Sequence, residues 1–137
     1  MITVKSGCIL INKETKKIAL VCRNGEFSFP KGHLKDGETI RECAIRETLE
    51  ETGHECHLIG EKEIAKINYS NPNGENVENY FFIAIDDGIS KKYINEMDKE
   101  ETVWKDFSDI EKTLSYENLI DLWNDIKLDI RKYINNV

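Results

Sequence analysis

The chain has 137 residues, enough for one domain with its own core and too few for two ordinary ones, so we read 1–137 as a single unit. A hydrophobic fraction of 39% and a charged fraction of 33% exclude a disordered chain and a membrane-inserted one. Nineteen basic against twenty-six acidic side chains, a net charge of −7, exclude the broad basic face with which a protein grips a nucleic-acid polymer.

The first ten residues carry one lysine and a short apolar stretch before polar Asn12-Lys13-Glu14, so neither a signal peptide nor a spanning helix is read, and the expected address is the cytoplasm. Residues 2–11 and 17–23, rich in β-branched and apolar side chains, flank polar 12–16 and predict two strands joined by a turn. Asn24-Gly25 is a second turn signal. Phe27-Ser28-Phe29 is a short alternating piece that stops at Pro30, and 31–37, with two glycines, reads as a shaped loop. Residues 38–52 contain neither Gly nor Pro, and Ile40, Cys43, Ala44 and Thr48 recur at helical spacing, which predicts a helix stopped by Gly53. Residues 56–69 read as one longer strand or two pieces, 70–75 as a loop, and 79–85 as a strand buried on both faces. A further strand is expected over 102–107. Over 115–134, Tyr116, Leu119, Ile120, Trp123, Ile126, Ile130 and Tyr133 fall at steps of three and four and predict a closing amphipathic helix. The sum is a mixed α/β layered domain.

Cys8, Cys22, Cys43 and Cys56 are scattered, without a Cys-x-x-Cys pair, and read as reduced thiols. His54, Cys56 and His57 lie close together, but their spacing fits no familiar zinc site and a fourth ligand is not evident.

The chemistry concentrates in 32–54. On a helix, Glu47, Glu50 and Glu51 stand three and four positions apart and project from one face, where like charges repel. Arg46 offsets part of this, but one arginine cannot neutralise three carboxylates diverging from it. Hard divalent cations with oxygen ligands can, and such ions also bind substrate phosphates. The alternative is an acidic helix face that is simply solvated.

This segment resembles the Nudix box, Gly-x5-Glu-x7-Arg-Glu-U-x-Glu-Glu-x-Gly-U with U bulky and apolar. Gly32, Glu38, Arg46, Glu47, Glu50, Glu51 and Gly53 fill all seven fixed positions, a match this composition would produce by chance roughly 3 times in a million. The two U positions depart from it, with Thr48 and His54. The resemblance implies an α/β/α sandwich with a mixed β-sheet. It also implies a divalent-metal-dependent hydrolase that cuts a phosphoanhydride bond in a nucleoside diphosphate-linked substrate. Carried over by residue, Glu47, Glu50, Glu51 and the backbone carbonyl of Lys31 hold Mg²⁺ or Mn²⁺, Arg46 orients the glutamates, and Glu38 braces the loop. Gly32 and Gly37 let the backbone turn beside the metals. Glu50 or Glu47 is the candidate base. The alternative, drawn from other members, puts the base among Glu96, Asp98, Glu100 and Glu101.

Phe29-Pro30-Lys31-Gly32-His33 looks like the Pro-Lys-Gly-His entrance of the dinucleoside polyphosphate and diphosphoinositol polyphosphate branches, which makes Lys31 and His33 candidate phosphate contacts. Tyr69 is a candidate base-stacking residue. The implied partner is a small nucleotide or polyphosphate, with neither a nucleic-acid polymer nor a membrane. Cleansing of modified nucleoside triphosphates, or a non-catalytic nucleotide sensor, are the alternative functions. Residues 38–55 hold six acids against two arginines, so much of the net charge sits where a metal would neutralise it.

Overall fold

Alternation along Ile2–Ile11 puts Ile9 and Ile11 on one face of a strand and Cys8 and Leu10 on the other, and all four are fully buried. A strand buried on both sides needs a layer above and a layer below it. The computed structural model, which describes residues 2–91 and 100–136, supplies both. Its elements in chain order are β1 (Ile2–Ile11), β2 (Ile18–Arg23), β3 (Glu26–Ser28), β4 (Lys31–His33), α1 (Ile40–Thr52), β5 (His54–Ile59), β6 (Ala65–Ser70), β7 (Asn76–Ile89), β8 (Glu100–Lys105), a 3-10 turn (Phe107–Asp109), α2 (Ile110–Thr113) and α3 (Glu117–Asn136).

The sheet is mixed. Strands β1 and β7 run parallel, with Ile2 opposite Asn76 and Ile11 opposite Ile85, and every other pairing is antiparallel. The far edge of β7 takes β6 and then β5. The far edge of β1 takes β4, through Lys5–His33, Ser6–Gly32 and Gly7–Lys31, and meets β2 at Ile11–Ile18; β2 in turn carries β3 and β8. On one face Ile9, Ile11, Phe29 and Phe81 pack with Trp123, Ile126 and Ile130 of α3. On the other Cys8, Leu10, Phe82 and Ala84 pack with Ala44 of α1. This is an α/β/α sandwich on a mixed β-sheet, as expected. Among the described residues no helix is long and apolar enough to cross a membrane.

Several expectations are corrected. Residues 31–33, read as loop, form β4, because β1 offers them a ladder that a Lys-Gly-His tripeptide would not build alone. The α1 helix begins at Ile40 rather than 38, and Thr39 is its cap: the Thr39 hydroxyl accepts from Glu42 N at 3.1 Å while Glu42 Oε1 accepts from Thr39 N at 2.9 Å. Residues 56–69 divide into the end of β5 and β6, with β5 starting at His54 directly after the Gly53 cap. Strand β7 extends well beyond 79–85. Asp86 can stay inside it because His54 Nδ1 lies 2.8 Å from its Oδ1 and Asn12 Nδ2 donates to its Oδ2 at 3.1 Å. His57 faces Asp87, 2.9 Å away. The late strand is shifted to Glu100–Lys105, and Phe107 belongs to the 3-10 turn. Tyr116, just before α3, and Tyr133 within it are exposed, whereas Leu122 and Ile134 of α3 are buried in their stead.

Candidate metal and nucleotide site

With Cys43, Ala44 and Thr48 turned into the sheet, the adjoining flank of α1 presents Arg46, Glu47, Glu50 and Glu51 toward β4 and the loop after it. Arg46 is the hub. Its Nε donates to Glu38 Oε2 at 2.7 Å and its Nη2 to Glu38 Oε1 at 3.0 Å, a two-pronged clamp. Its Nη1 donates to Glu47 Oε1 at 2.9 Å and to Glu50 Oε2 at 2.6 Å, and its Nη2 also reaches the His33 carbonyl at 2.8 Å. The Arg46 guanidinium holds the Glu38 carboxyl down at about 2, and Glu38 Oε1 further accepts from Lys35 N at 3.1 Å, tying the loop to the helix.

Arg46 thus reaches Glu47 and Glu50 as well as Glu38, but its single positive charge does not neutralise the three carboxylates of the helix. Glu51 is the carboxylate it does not bond. Glu51 Oε1 accepts instead from the backbone N–H of Lys31 at 2.9 Å, and burial pushes its carboxyl up to about 7 despite that bond and the nearby Lys31 charge.

Gly32 explains how helix and strand come so close. A Cβ on residue 32 would lie 2.0 Å from Glu47 Oε2 and 2.1 Å from its Cδ, so the carboxylate rests against bare backbone. The role expected for Gly32 was a sharp turn; in fact it lies in β4 and serves close approach, whereas Gly37, with φ +79°, does turn. Gly7, which sequence reasoning passed over, is its counterpart one layer back: a Cβ there would lie 2.0 Å from the Pro30 carbonyl oxygen and 2.6 Å from Lys31 Cβ. A glycine inside an otherwise apolar, β-branched strand is the signal that points to it.

A hard divalent cation fits this donor set. Three carboxylates lie within one and a half helical turns, one of them rests in a Cβ-free cradle, and another is buried with its charge largely uncompensated by the chain. As the side chains stand, Arg46 and the Lys31 N–H occupy them, and among the described residues no three acidic, histidine or cysteine side chains already converge on one point. Loading a cation on Glu51 at neutral pH must release a proton. We expect Mg²⁺ affinity, measured by titration calorimetry in buffers of different ionisation enthalpy, to fall about tenfold per unit as pH drops below about 7. Glu51→Gln should flatten that dependence. The metal-free chain carries the opposite sign: a carboxyl raised from 4.5 to about 7 costs stability as pH rises through that window.

A cavity of about 220 Å³ opens on the other side of Lys31, lined by Lys5, Lys31, Ile67, Tyr69, Asn79 and Tyr116 among others. Lys31 and Tyr69, chosen from sequence for phosphate and base, thus share one cavity, and Lys31 joins it to the acidic helix. Burial and the neighbouring Lys5 charge lower the Lys31 ammonium from its usual value. His33 is exposed at the end of β4 and does not line the cavity; Arg46 bonds its carbonyl. Of the later acids, Glu96 and Asp98 lie outside the described residues, Glu100 is ion-paired with Arg23, and Glu101 is exposed.

A family model described as NUDIX domain matches residues 1–125. The chain is 30% identical over 118 residues to the mRNA-decapping enzyme subunit 2 of Saccharomyces cerevisiae, covering 82% of this chain and 12% of that protein. It is 34% identical over 83 residues to a putative 8-oxo-dGTP diphosphatase of Bacillus subtilis, covering 58% of this chain and 52% of that protein. Among solved structures it superposes on a C. elegans Ap4A hydrolase with a TM-score of 0.69 at 19% identity, covering 94% of this chain and 97% of the other. The chain spans only 8% to 12% of the length of the decapping relatives it matches.

Proposed function

Because this chain belongs to the NUDIX domain family, we propose that it is a divalent-metal-dependent pyrophosphohydrolase. It cuts a phosphoanhydride bond in a nucleoside diphosphate-linked substrate, with dinucleoside polyphosphates or similar capped polyphosphates as the preferred class. One observation carries the reading: Lys31 belongs to both halves of the site, its N–H on Glu51 and its side chain in the cavity. A nucleoside in the cavity therefore sends its phosphates past Lys31 toward the carboxylates.

Glu47, Glu50, Glu51 and the Lys31 carbonyl would hold Mg²⁺ or Mn²⁺, which when bound neutralises phosphate charge and acidifies a coordinated water. The chain's own groups do the rest. Arg46 orients Glu47 and Glu50, and Glu38 and the His33 carbonyl fix Arg46. Glu50, whose side chain is 38% exposed against 14% for Glu47, is the better candidate to take the proton of the attacking water. Lys31 donates to phosphate oxygens within the cavity, and Tyr69 offers a ring for a base. His33, at the solvent end of β4, suits the part of a polyphosphate that protrudes. Four free cysteines favour a reducing compartment, and we assign the chain to the cytoplasm.

Cleansing of modified nucleoside triphosphates is a second reading, favoured by the likeness to the putative 8-oxo-dGTP diphosphatase. The purified chain with Mg²⁺ should release mononucleotides from a dinucleoside polyphosphate in ¹⁸O-labelled water, with label on a single product phosphorus. Turnover confined to modified triphosphates would select the second reading. Turnover confined to a capped RNA oligonucleotide would overturn the preference for small substrates, which rests on the net charge of −7. Binding without turnover anywhere in the panel would mean a sensor.

A further inference from the structure

Strand β7 turns Val77, Asn79 and Phe81 to one face, and all three are buried, Asn79 completely. Val77 and Phe81 beside it along the strand are apolar, Ile67 of β6 and Lys5 of β1 stand opposite it, and among the described residues neither Nδ2 nor Oδ1 of Asn79 has a hydrogen-bond partner. A buried carboxamide left unbonded opposes folding, and a leucine would satisfy the apolar alternation better, so the fold itself gives no reason for an amide here. Asn79 lines the cavity beside Lys31. The same cavity has the rings of Tyr69 and Tyr116 and the apolar side chain of Ile67. The Tyr116 hydroxyl donates to Glu26 and so fixes the orientation of its ring. Lys5 and Lys31 bring two ammonium groups to one lining, an arrangement an anion would relieve.

We infer that this cavity takes the nucleobase of the substrate and that the Asn79 carboxamide selects it by bonding an edge with a donor and an acceptor side by side, such as the N6–H and N7 of adenine. The inference rests on the proposed nucleotide chemistry and deepens it. Both amide atoms are closed to water in the unliganded chain, so the base makes contact by displacing one of the long side chains sharing the lining, Lys5 or Lys31. Phosphates that draw the two ammonium groups toward themselves provide that displacement.

Two variants of the full chain test it, Asn79→Leu and Asn79→Asp, with Asn79→Ser as a third should either fail to fold. Each is measured for thermal unfolding, for kcat and KM on substrates differing only in base, and for equilibrium binding of AMP, GMP, CMP and UMP with Mg²⁺ present. Asn79→Leu should melt at or above the parent temperature while KM for the preferred base rises roughly tenfold or more, kcat staying within about twofold, and base preference flattening. Asn79→Asp, which presents acceptors only, should shift relative kcat/KM toward guanine, with its adjacent N1–H and N2–H donors, by roughly tenfold or more. Inorganic tripolyphosphate, lacking a base, should bind all variants alike. If hydrolysis occurs and its base preference is the same in parent and variants, Asn79 is not the selector and the inference falls. If nothing is hydrolysed yet monophosphate binding depends on Asn79 in this pattern, the hydrolase reading falls and the base compartment stands.

Discussion

Glu50→Gln should lower turnover by about 10²- to 10⁴-fold, the contribution usual for a positioned proton acceptor, with the fold intact. Gln keeps the size of the side chain and a carbonyl oxygen for Arg46, and Arg46 retains Glu38 and Glu47 as partners. Removing one negative charge from a flank where Glu47, Glu50 and Glu51 crowd together should leave the melting temperature of the metal-free chain unchanged or slightly higher. Steady-state kinetics beside a thermal melt decide the matter. Turnover within tenfold of the parent would dismiss Glu50 as base and turn attention to Glu47 and to the acids of 96–101.

The second large effect separates two glycines that look alike in sequence. At Gly7 an added methyl meets the backbone carbonyl oxygen of Pro30 at 2.0 Å, and backbone held in a ladder cannot step aside. At Gly32 the methyl meets the tip of Glu47, which can rotate away. Gly7→Ala should therefore cost about 3 kcal/mol or more of stability, seen as a displaced denaturant midpoint. Gly32→Ala should cost about 1 kcal/mol or less yet reduce kcat at least about 10²-fold, because Glu47 leaves its cradle and its bond to Arg46. Equal losses of stability in the two variants would show that Glu47 is not free to move and that Gly32 is a packing residue.

Much of the acidic half of the site can be read in the sequence because it is local. Arg46, Glu47, Glu50 and Glu51 share one helix face by spacing alone, and Gly53 ends that helix in the left-handed conformation expected of a cap. The Thr39-x-x-Glu42 capping box is also visible in the letters, but Glu38 is as good a helix former as its neighbours and draws the predicted boundary outward. The rest depends on distant partners. Three residues of β4 have no strand signature until β1 pairs with them, Gly7 reads as a flaw until Pro30 lies against it, and Asn79 is one polar letter at the head of an apolar run until β6 and α3 enclose it. Tyr116 fits the apolar stripe of α3 by spacing, yet it precedes the first turn, where the sheet no longer covers the helix and Glu26 takes its hydroxyl.

The parallel pairing of β1 with β7 sets the order in which the molecule can be assembled. Ile2 meets Asn76 and Ile11 meets Ile85, while among the described residues β1 pairs in register with its sequence neighbour β2 only at Ile11–Ile18. During synthesis the first strand therefore emerges long before its main partner. A nascent chain ending short of residue 76 carries a strand of buried-type side chains with one whole edge unpaired, the surface on which chains aggregate and which holdase chaperones cover. Closure awaits a contact that spans more than half the polypeptide, so a strand whose second half ends up buried on both faces keeps one edge open on the ribosome until β7 has been made.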